Sequence, residues 1–340
     1  MNTYHKIRAA SLCSGIGAPE YAAPHWEWLW HSEIAPFPSA VLAIRHPGSV
    51  NLGDLTADNF AERAQEFGPI DVMIAGTPCQ SFSIAGSRKG LADPRGNIML
   101  QAINIYQKLC EYADRQGYSR PLFIWENVKG ALSAEKGTAF GCLLGALAGY
   151  GATLSGQKGQ VWGSAGVASG PEASIGWRVL NAEFFGLPQR RNRLFAICCP
   201  HSTQIDSTAL LFEPGAMPVS PETQARLASH SLADAERTDR LKPFGIDSHS
   251  NLKGLIATHH VFPCLKASKI VEVCNGQRIR RITPIEAERC QGFPDNYTNI
   301  LFNGTEARDA PRYHALGNSM PVPVLRWLFG RIEEVIHAQR

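Results

Sequence analysis

Cys79 lies in the segment 76–80, Gly-Thr-Pro-Cys-Gln, which directly follows the apolar run 70–75. The thiolate form of a cysteine is a nucleophile, but an unperturbed thiol is only a few per cent ionised at pH 7. That shortfall costs roughly 2 kcal/mol, which is small beside the ~8–23 kcal/mol by which enzymes lower reaction barriers. Cys79 is therefore a candidate nucleophile, provided that other groups position the attacked molecule and relieve its charge. An inert packing cysteine is the alternative.

Glu126 follows a second apolar run, 122–125, and is a candidate proton donor. Both runs are strand candidates, and the carboxyl ends of parallel strands lie at one edge of a sheet. We therefore expect Glu126 to lie close to Cys79. Apolar surroundings that raise the pKa of its carboxyl would let it protonate a ring nitrogen while the thiolate adds to that ring. A solvated carboxylate at a strand end is the alternative interpretation.

Two basic segments could bind an anionic partner. The segment 189–193, Gln-Arg-Arg-Asn-Arg, precedes a candidate strand, so that Arg191 and Arg193 project to the same face. A glycine-bounded segment, 86–96, follows the thiol and carries Arg88 and Arg95. A basic loop beside a nucleophile could close over a phosphate backbone. Basic runs are usually solvated surface, and that interpretation stays open.

Gly15 and Gly17 follow the first candidate strand, and Glu33 follows the second. Glycines at this turn allow a ligand close to the backbone, and a carboxylate one strand away can accept hydrogen bonds from ribose hydroxyls. Asp54 closes a third candidate strand and could reach an adenine edge, although a turn aspartate is an equal alternative. The third phosphate-binding glycine and a Gly-Lys-Ser/Thr sequence are both missing, which favours a nucleoside without a polyphosphate.

The first half of the chain alternates short apolar runs with segments of helical spacing. This alternation predicts a mostly parallel sheet covered by helices on both faces. The strand candidates are 7–13, 26–31, 70–75 and 122–125, and the helix candidates are 36–44, 58–67, 98–113 and 138–148.

The later part of the chain is less regular. The runs 177–183 and 193–199 would extend the sheet, whereas the segment 155–176, rich in Gly, Ser and Ala, indicates a surface insertion or flexible loop. Weak periodicity over 201–276 predicts a smaller, loop-rich unit. A basic strand-like piece (277–282), a helix from 284 to about 290 and an amphipathic closing helix (321–337) follow.

The composition is typical of a globular protein of the cytoplasm. The 340 residues are 44% hydrophobic and 19% charged, and their net charge of +3 permits a polyanionic partner without requiring one. The 9 cysteines are scattered, with no spacing suited to zinc, so we expect reduced thiols and no metal. No stretch is suited to crossing a membrane.

Taken together, these motifs resemble the DNA cytosine-5 methyltransferase family, including its phage- and prophage-borne members. The matches occur in the family's order and span nearly the whole chain except the segment 200–276. The matching segments are 12–17, Glu33, Asp54, 78–80, 126–128, 189–193, 281–294 and 317–319.

The resemblance implies S-adenosyl-L-methionine as the cofactor. The residues that it implies for cofactor binding are Cys13, Gly15, Ile16, Gly17, Glu33, Ile34, Asp54, Leu55, Gly76, Pro78, Ile98, Asn318 and Ser319. It also implies a DNA-contacting loop after the thiol, with Gln80, Ser83, Arg88 and Arg95 as its DNA-binding residues.

The family's chemistry, carried onto these residues, is methylation of a cytosine that is flipped out of duplex DNA. Cys79 would add to carbon 6 of the base while Glu126 protonates ring nitrogen 3. Carbon 5 then takes the methyl group, and loss of its proton expels Cys79. Arg193 would bind the carbonyl oxygen of the base, and Arg191 would support the catalytic site.

The resemblance also implies the fold class and the domains. The fold is α/β, a Rossmann-like methyltransferase sheet with helices on both faces and a smaller, loop-rich target-recognition domain. Residues 1–199 and 313–340 would form the discontinuous catalytic domain, and residues 200–312 the target-recognition domain. We expect a monomer on double-stranded DNA, associated with the nucleoid. A cognate restriction endonuclease is an open question.

Three departures from the family pattern bear on these expectations. Cys13 stands where the family often has Phe, so the aromatic ring that would stack on adenine is missing at this position. The segment 155–176 looks like an insertion, and the segment 200–276 is short, which suggests a short target site.

Other functions remain as alternatives. A relative that methylates cytosine in transfer RNA would share the chemistry. A catalytically silent DNA-binding protein could lose Cys79, Glu126 and Arg193, yet all three are present. A thiol redox enzyme would need a resolving cysteine near Cys79, and the sequence has none there.

Overall fold

Five short strands with apolar centres form the parallel part of the main sheet. They are β1 (Arg8–Leu12), β2 (Glu27–Ser32), β3 (Val50–Asn51), β4 (Val72–Ala75) and β5 (Leu122–Val128), in the order β3-β2-β1-β4-β5. All four residues of β4 are buried, because helices cover both faces of the sheet there. The computed structural model describes residues 6–78, 98–156, 161–212, 244–247, 256–259, 262–267, 271–274 and 279–339.

Three antiparallel strands complete the sheet beyond β5. They are β6 (Ala165–Ser169), β7 (Ala173–Asn181) and β8 (Asn192–Pro200), and they add to the sheet in the order β5-β8-β7-β6. The expected α/β fold class is confirmed, with a mixed sheet in which only the first five strands are parallel. β3 has only two residues, so the strand that we expected to end at Asp54 ends three residues before it.

The alternative of a flexible loop over 155–176 is wrong for half of its described residues, which form strands. β6 and the first part of β7 lie in this segment and form an antiparallel hairpin, while residues 157–160 are outside the description. The hairpin is held by aromatic side chains: Trp177 packs edge-on against Phe140 and Trp162, with ring centroids 5.5 and 5.6 Å apart. These long-range contacts outweigh the weak local strand preference of Gly, Ser and Ala.

Helices cover both faces of the main sheet, as expected. On one face lie α1 (Ala18–Ala22), α2 (Pro36–Arg45), α6 (Ser207–Leu211), α7 (Pro284–Gln291), α8 (Asp309–Asn318) and α9 (Val322–Gln339). On the other face lie α3 (Phe60–Gln65), α4 (Ile98–Gln116) and α5 (Thr138–Ala148). Each group buries an apolar core against the sheet. Among the described residues, no helix combines the length and apolarity needed to span a membrane.

The closing helix α9 packs beside the beginning of the chain. The ring of Phe329 on α9 lies 4.6 Å from that of Trp26, between centroids. Glu333, one turn further, accepts hydrogen bonds from His25 and from the indole of Trp26. The last helix therefore belongs to the same core as β1 and β2.

A second, smaller sheet lies in the segment of weak periodicity. It comprises β9 (Phe244–Asp247), β10 (Ile256–His259), β11 (Glu272–Cys274) and β12 (Ile279–Arg281), all antiparallel in the order β10-β9-β11-β12. Only β12 was anticipated, as part of the basic piece 277–282.

The segment that follows the small sheet returns to the main core. Helix α7 begins with a capping box, in which Thr283 and Glu286 exchange side-chain-to-backbone hydrogen bonds. The turn after it places Tyr297, whose hydroxyl donates to the carbonyl of Ile16 at 2.8 Å. A two-residue hairpin, β13 (Leu301–Phe302) and β14 (Thr305–Glu306), leads into α8.

Glu20 is a buried carboxyl beneath the first glycine turn. Ser11 donates a hydrogen bond to its Oε1 at 2.5 Å, and its Oε2 has no hydrogen-bond partner among the described residues. Burial raises the pKa of Glu20 to about 7, against a weaker lowering by the Ser11 hydrogen bond. The folded protein therefore holds the Glu20 proton more tightly than the unfolded chain does.

We expect this carboxyl to make stability depend on pH. Since the pKa of Glu20 is raised on folding, its contribution to stability is fully present below the unfolded pKa and is lost as pH rises through the folded value. The free energy of unfolding of Glu20→Gln, relative to that of the unsubstituted protein, should rise by about 2 kcal/mol between about pH 5 and pH 8. Urea unfolding of both proteins at several pH values measures this difference, and two parallel curves would contradict the assignment.

Candidate active site

Glu126 and Arg193 form an ion pair on adjacent antiparallel strands. In the β5–β8 register Glu126 lies opposite Phe195 and Val128 opposite Arg193, so the two charged side chains are diagonal neighbours on one face. Arg193 Nε lies 3.2 Å from Glu126 Oε1, and both side chains are nearly buried. β5 continues three residues beyond the apolar run, so Glu126 stands inside a paired strand.

Two opposing effects act on the Glu126 carboxyl. Burial raises its pKa and is the larger effect, while the positive charges of Arg193 and Arg191 lower it. The net shift is upward, which brings the carboxyl nearer to the range in which it can exchange a proton at neutral pH.

The loop that leads to Cys79 is fixed by the neighbouring strand β5. Asn127 Nδ2 donates to the carbonyl of Thr77 at 2.9 Å, and Trp125 Nε1 donates to Thr77 Oγ1, also at 2.9 Å. Both donors are buried. The backbone that leads to the thiol is therefore fixed to β5 at Thr77, and Pro78 is the last described residue before the thiol.

Gly76 lies where three parts of the site meet. A Cβ at this position would be 2.4 Å from Met320 Cε, 3.7 Å from the carbonyl oxygen of Cys13 and 3.9 Å from Glu126 Oε2. A side chain at this position would displace the terminal methyl group of Met320. The loop after β4, the loop after α8 and the candidate proton donor are therefore contiguous.

The turn after β1 has the conformation that its glycines predict. Gly15 and Gly17 have φ values of +58° and +83°, a region that other residues rarely adopt. The Gly15 N–H donates to Glu33 Oε2, and the Ala35 N–H donates to Glu33 Oε1, each at 2.8 Å. Glu33 thus orders the turn and retains lone pairs for further donors.

Cys13 and Asp54 complete this end of the site. Burial, followed by the charges of Glu33 and Asp54, raises the pKa of the Cys13 thiol to about 12, so it stays protonated at neutral pH. Asp54 Oδ1 accepts hydrogen bonds from the N–H and the hydroxyl of Thr56, as in a turn. Ile34 beside them is 70% exposed. A glycine turn, two carboxylates and an open apolar side chain suit the ribose and base of an adenosine.

The remaining expected cofactor residues differ in what they can offer. Ile16 and Leu55 are buried in the core. Asn318 is exposed and Ser319 buried at the end of α8, while Ile98 is half-buried at the start of α4.

Arg191 lies at the junction with the small unit. It is 1% exposed, and its guanidinium donates to the carbonyl of Leu265 at 3.0 Å and to those of Gly317 and Ser319 at 3.0 and 2.6 Å. A further hydrogen bond goes from its Nη1 to Cys264 Sγ at 3.4 Å, so the guanidinium is bound by groups of this chain.

Some expected residues lie outside the described part of the chain. These are Cys79, Gln80, Ser83, Arg88 and Arg95. Within the described part, no three His, Cys, Asp or Glu side chains group as a metal site. Sequence reasoning did not assign roles to Thr77, Asn127 or Met320. For Asn127 the available signal was its place directly after Glu126.

A family model described as C-5 cytosine-specific DNA methylase matches residues 7–334. The match spans nearly the whole chain, which decides the family. The chain belongs to the C-5 cytosine-specific DNA methylase family. This confirms the resemblance inferred from the motifs, and S-adenosylmethionine is the methyl donor of the family.

Several curated proteins are similar to this chain. The DNA N-6-adenine-methyltransferase of Escherichia phage P1 is 30% identical over 97% of this chain, and the chain spans 61% of its length. Type II methyltransferase M.NlaX of Neisseria lactamica is 26% identical, with 98% of both chains covered. Type II methyltransferase M2.BsuMI of Bacillus subtilis is 26% identical, over 95% of this chain and 74% of its own length.

Solved structures share the fold of this methylase. The Dnmt2 methyltransferase of S. pombe superposes with a TM-score of 0.64 at 16% identity, covering 97% of this chain and 99% of that one. A putative DNA modification methyltransferase encoded within an E. coli prophage gives 0.59 at 17% identity, covering 98% and 100%. At these identities the likeness establishes the fold alone, and the methyltransferase sheet is confirmed.

The anchoring of Thr77 by Asn127 can be tested directly. Asn127→Ala removes the donor to the Thr77 carbonyl, so the loop before Cys79 loses its fixed position. We expect the turnover number for methyl transfer to fall by roughly 10- to 100-fold, because small misplacements of a reacting group are costly. Asn104→Ala, on α4, is the matched control and should keep normal turnover. Normal turnover in Asn127→Ala would contradict the anchoring role.

Proposed function

We propose that this protein transfers a methyl group from S-adenosyl-L-methionine to carbon 5 of a cytosine in a specific sequence of duplex DNA, through a covalent adduct with Cys79. The observation that carries the proposal is the ion pair of Glu126 and Arg193 beside Gly76. It brings a proton donor and a carbonyl-binding cation together, one strand away from the loop that leads to the thiol.

The proposed chemistry follows from these groups. The Cys79 thiolate forms a bond to carbon 6 of the base, and Glu126 supplies a proton to ring nitrogen 3, which neutralises the developing negative charge. Arg193 binds the carbonyl oxygen of the ring, for which its position beside Glu126 suits it, and Arg191 supports the site. The cofactor supplies the methyl group that carbon 5 takes up. Transfer of the carbon 5 proton to water then breaks the bond to Cys79 and releases the thiolate, and ring nitrogen 3 returns its proton to Glu126.

The cofactor residues that we propose lie around the first glycine turn and Gly76. Glu33 and Asp54 would bind the polar edges of the adenosine, and Ile34 its apolar face. A Cβ at Gly15 would meet no atom within 4 Å, so the backbone there is open to the cofactor, whereas Gly17 packs against His46 and Leu42. The complete proposed set is Cys13, Gly15, Ile16, Gly17, Glu33, Ile34, Asp54, Leu55, Gly76, Pro78, Ile98, Asn318 and Ser319.

The target base must leave the duplex, because carbon 5 and carbon 6 are otherwise enclosed in the base stack. We propose that residues 1–199 and 313–340 form the catalytic domain and that residues 200–312 recognise the target. The separate small sheet within 200–312 and the packing of α9 on the first strands support this division. Gln80, Ser83, Arg88 and Arg95 would contact the DNA backbone.

The setting of the reaction is also a proposal. We propose a monomer that acts on nucleoid DNA in the cytoplasm. The names of the Type II relatives suggest a restriction endonuclease with the same target as a partner. The name of the phage P1 relative instead suggests methylation of adenine at N6. An exocyclic amine is itself a nucleophile, so that reaction would leave Cys79 without a role.

Expression in a host without DNA methylation, followed by base-resolution mapping of modified bases, tests the proposal. We expect 5-methylcytosine in one short sequence context. N6-methyladenine in place of 5-methylcytosine, or methyl incorporation into transfer RNA in preference to DNA, would contradict it.

The role of Glu126 can be separated from that of an ordinary ion pair. Glu126→Gln keeps the shape of the side chain but removes the acidic proton, so we expect the turnover number to fall by roughly 10²- to 10⁴-fold while duplex binding persists. Glu183→Gln is the matched control, because Glu183 also pairs with an arginine, Arg190, at 3.6 Å. Its turnover should be normal. Equal turnover in the two variants would exclude Glu126 as the acid.

A further inference from the structure

The guanidinium of Arg191 is shared between two chain segments that are distant in sequence. Nη1 donates to the carbonyl of Leu265 at 3.0 Å and to Cys264 Sγ at 3.4 Å, both in the segment 262–267 of the small unit. Nη2 donates to the carbonyls of Gly317, in the last turn of α8, and of Ser319, directly after α8. One side chain therefore spans the junction of the two segments.

The two segments also touch directly at Gly317. A Cβ on Gly317 would lie 2.4 Å from Ala267 N and 2.7 Å from Ala267 Cα. Backbone atoms cannot rotate away as a flexible side chain can, so any residue but glycine would push the segments apart. The contact is thus as close as the chain allows.

Two buried glutamines complete the junction. Gln189 Oε1 accepts from the Leu265 N–H at 2.8 Å, and Gln189 Nε2 donates to the carbonyl of Cys290 at 2.9 Å. Gln291 Nε2 donates to the carbonyl of Leu316 at 2.6 Å. The segment 262–267 is thereby fixed to α7 and to the end of α8 by hydrogen bonds that are closed to water.

The loop after α8 borders the candidate active site on its other side. Met320, which follows Ser319, packs against Gly76, and Gly76 adjoins both Cys13 and Glu126. A displacement of residues 317–320 therefore reaches the cofactor end and the catalytic carboxyl together. Arg191 also acts on Glu126 electrostatically.

We propose that Arg191 is a positioning residue that couples DNA binding by the small unit to cofactor binding by the segment 317–320, at the end of α8. The inference rests on the proposed function. A buried charge is stable only while its hydrogen-bond partners remain in place, and here the partners belong to both segments. Binding that orders either segment therefore orders the other, so each ligand increases the affinity of the protein for the other ligand.

The coupling is measured as the change in affinity for one ligand caused by the other. The probes are S-adenosylhomocysteine, which cannot donate a methyl group, and a duplex that contains the target sequence found by mapping the modified bases. For the unsubstituted protein we expect the duplex to tighten S-adenosylhomocysteine binding by about tenfold, and S-adenosylhomocysteine to tighten duplex binding by the same factor.

Two variants disturb the junction in different ways. Arg191→Lys keeps the charge but has no planar fork to reach both segments, and Gly317→Ala keeps every donor but forces the backbones apart. Both should reduce the coupling to less than about twofold. Arg331→Lys is the matched control, since Arg331 donates to the carbonyls of Ala209 and Leu210, between α9 and α6. Its coupling should be unchanged, whatever its effect on stability.

The outcomes separate this inference from the function on which it rests. Absence of cytosine methylation by the unsubstituted protein contradicts the proposed function. If the protein methylates cytosine but shows no coupling, or if the coupling survives in the folded variants, only the proposed role of Arg191 is contradicted. Should Arg191→Lys fail to fold, as judged by circular dichroism, the Gly317→Ala result decides.

Discussion

The site depends on keeping a carboxyl and a guanidinium together, nearly out of water, on one face of the main sheet. Glu126 and Arg193 can be buried because each neutralises the other, and the antiparallel register of β5 and β8 sets their 3.2 Å separation. Loss of either partner would leave an uncompensated charge in the sheet. The antiparallel strand β8 is therefore the element that brings Arg193 to Glu126.

Around this pair, loops from distant parts of the chain are fixed by specific hydrogen bonds. Asn127 fixes the loop before the thiol, Glu33 fixes the first glycine turn, and Arg191 joins the small unit to the loop after α8. Each of these side chains satisfies backbone groups that would otherwise be unpaired in a buried position.

Local patterns were sufficient for much of this arrangement. Buried apolar runs predicted β1, β2, β4 and α5, and the polar residues after them indicated the site edge. Contacts far apart in sequence could not be predicted in this way. β5 extends to Val128 because β8 pairs with it, and the hairpin of β6 and β7 exists because Trp177 packs on Phe140. The partners of Arg191 lie more than 70 residues away, so spacing alone indicated a catalytic site but not this junction.

The central claim is that Cys79 forms a covalent bond to the target base. A duplex with 5-fluorocytosine at the target position tests it, because fluorine at carbon 5 cannot leave as a proton does and the adduct should persist. Incubation with S-adenosylmethionine, proteolysis and mass spectrometry should find the modified base attached to the peptide that contains Cys79. Transfer of the methyl group with no covalent complex, or attachment at another cysteine, would contradict the account.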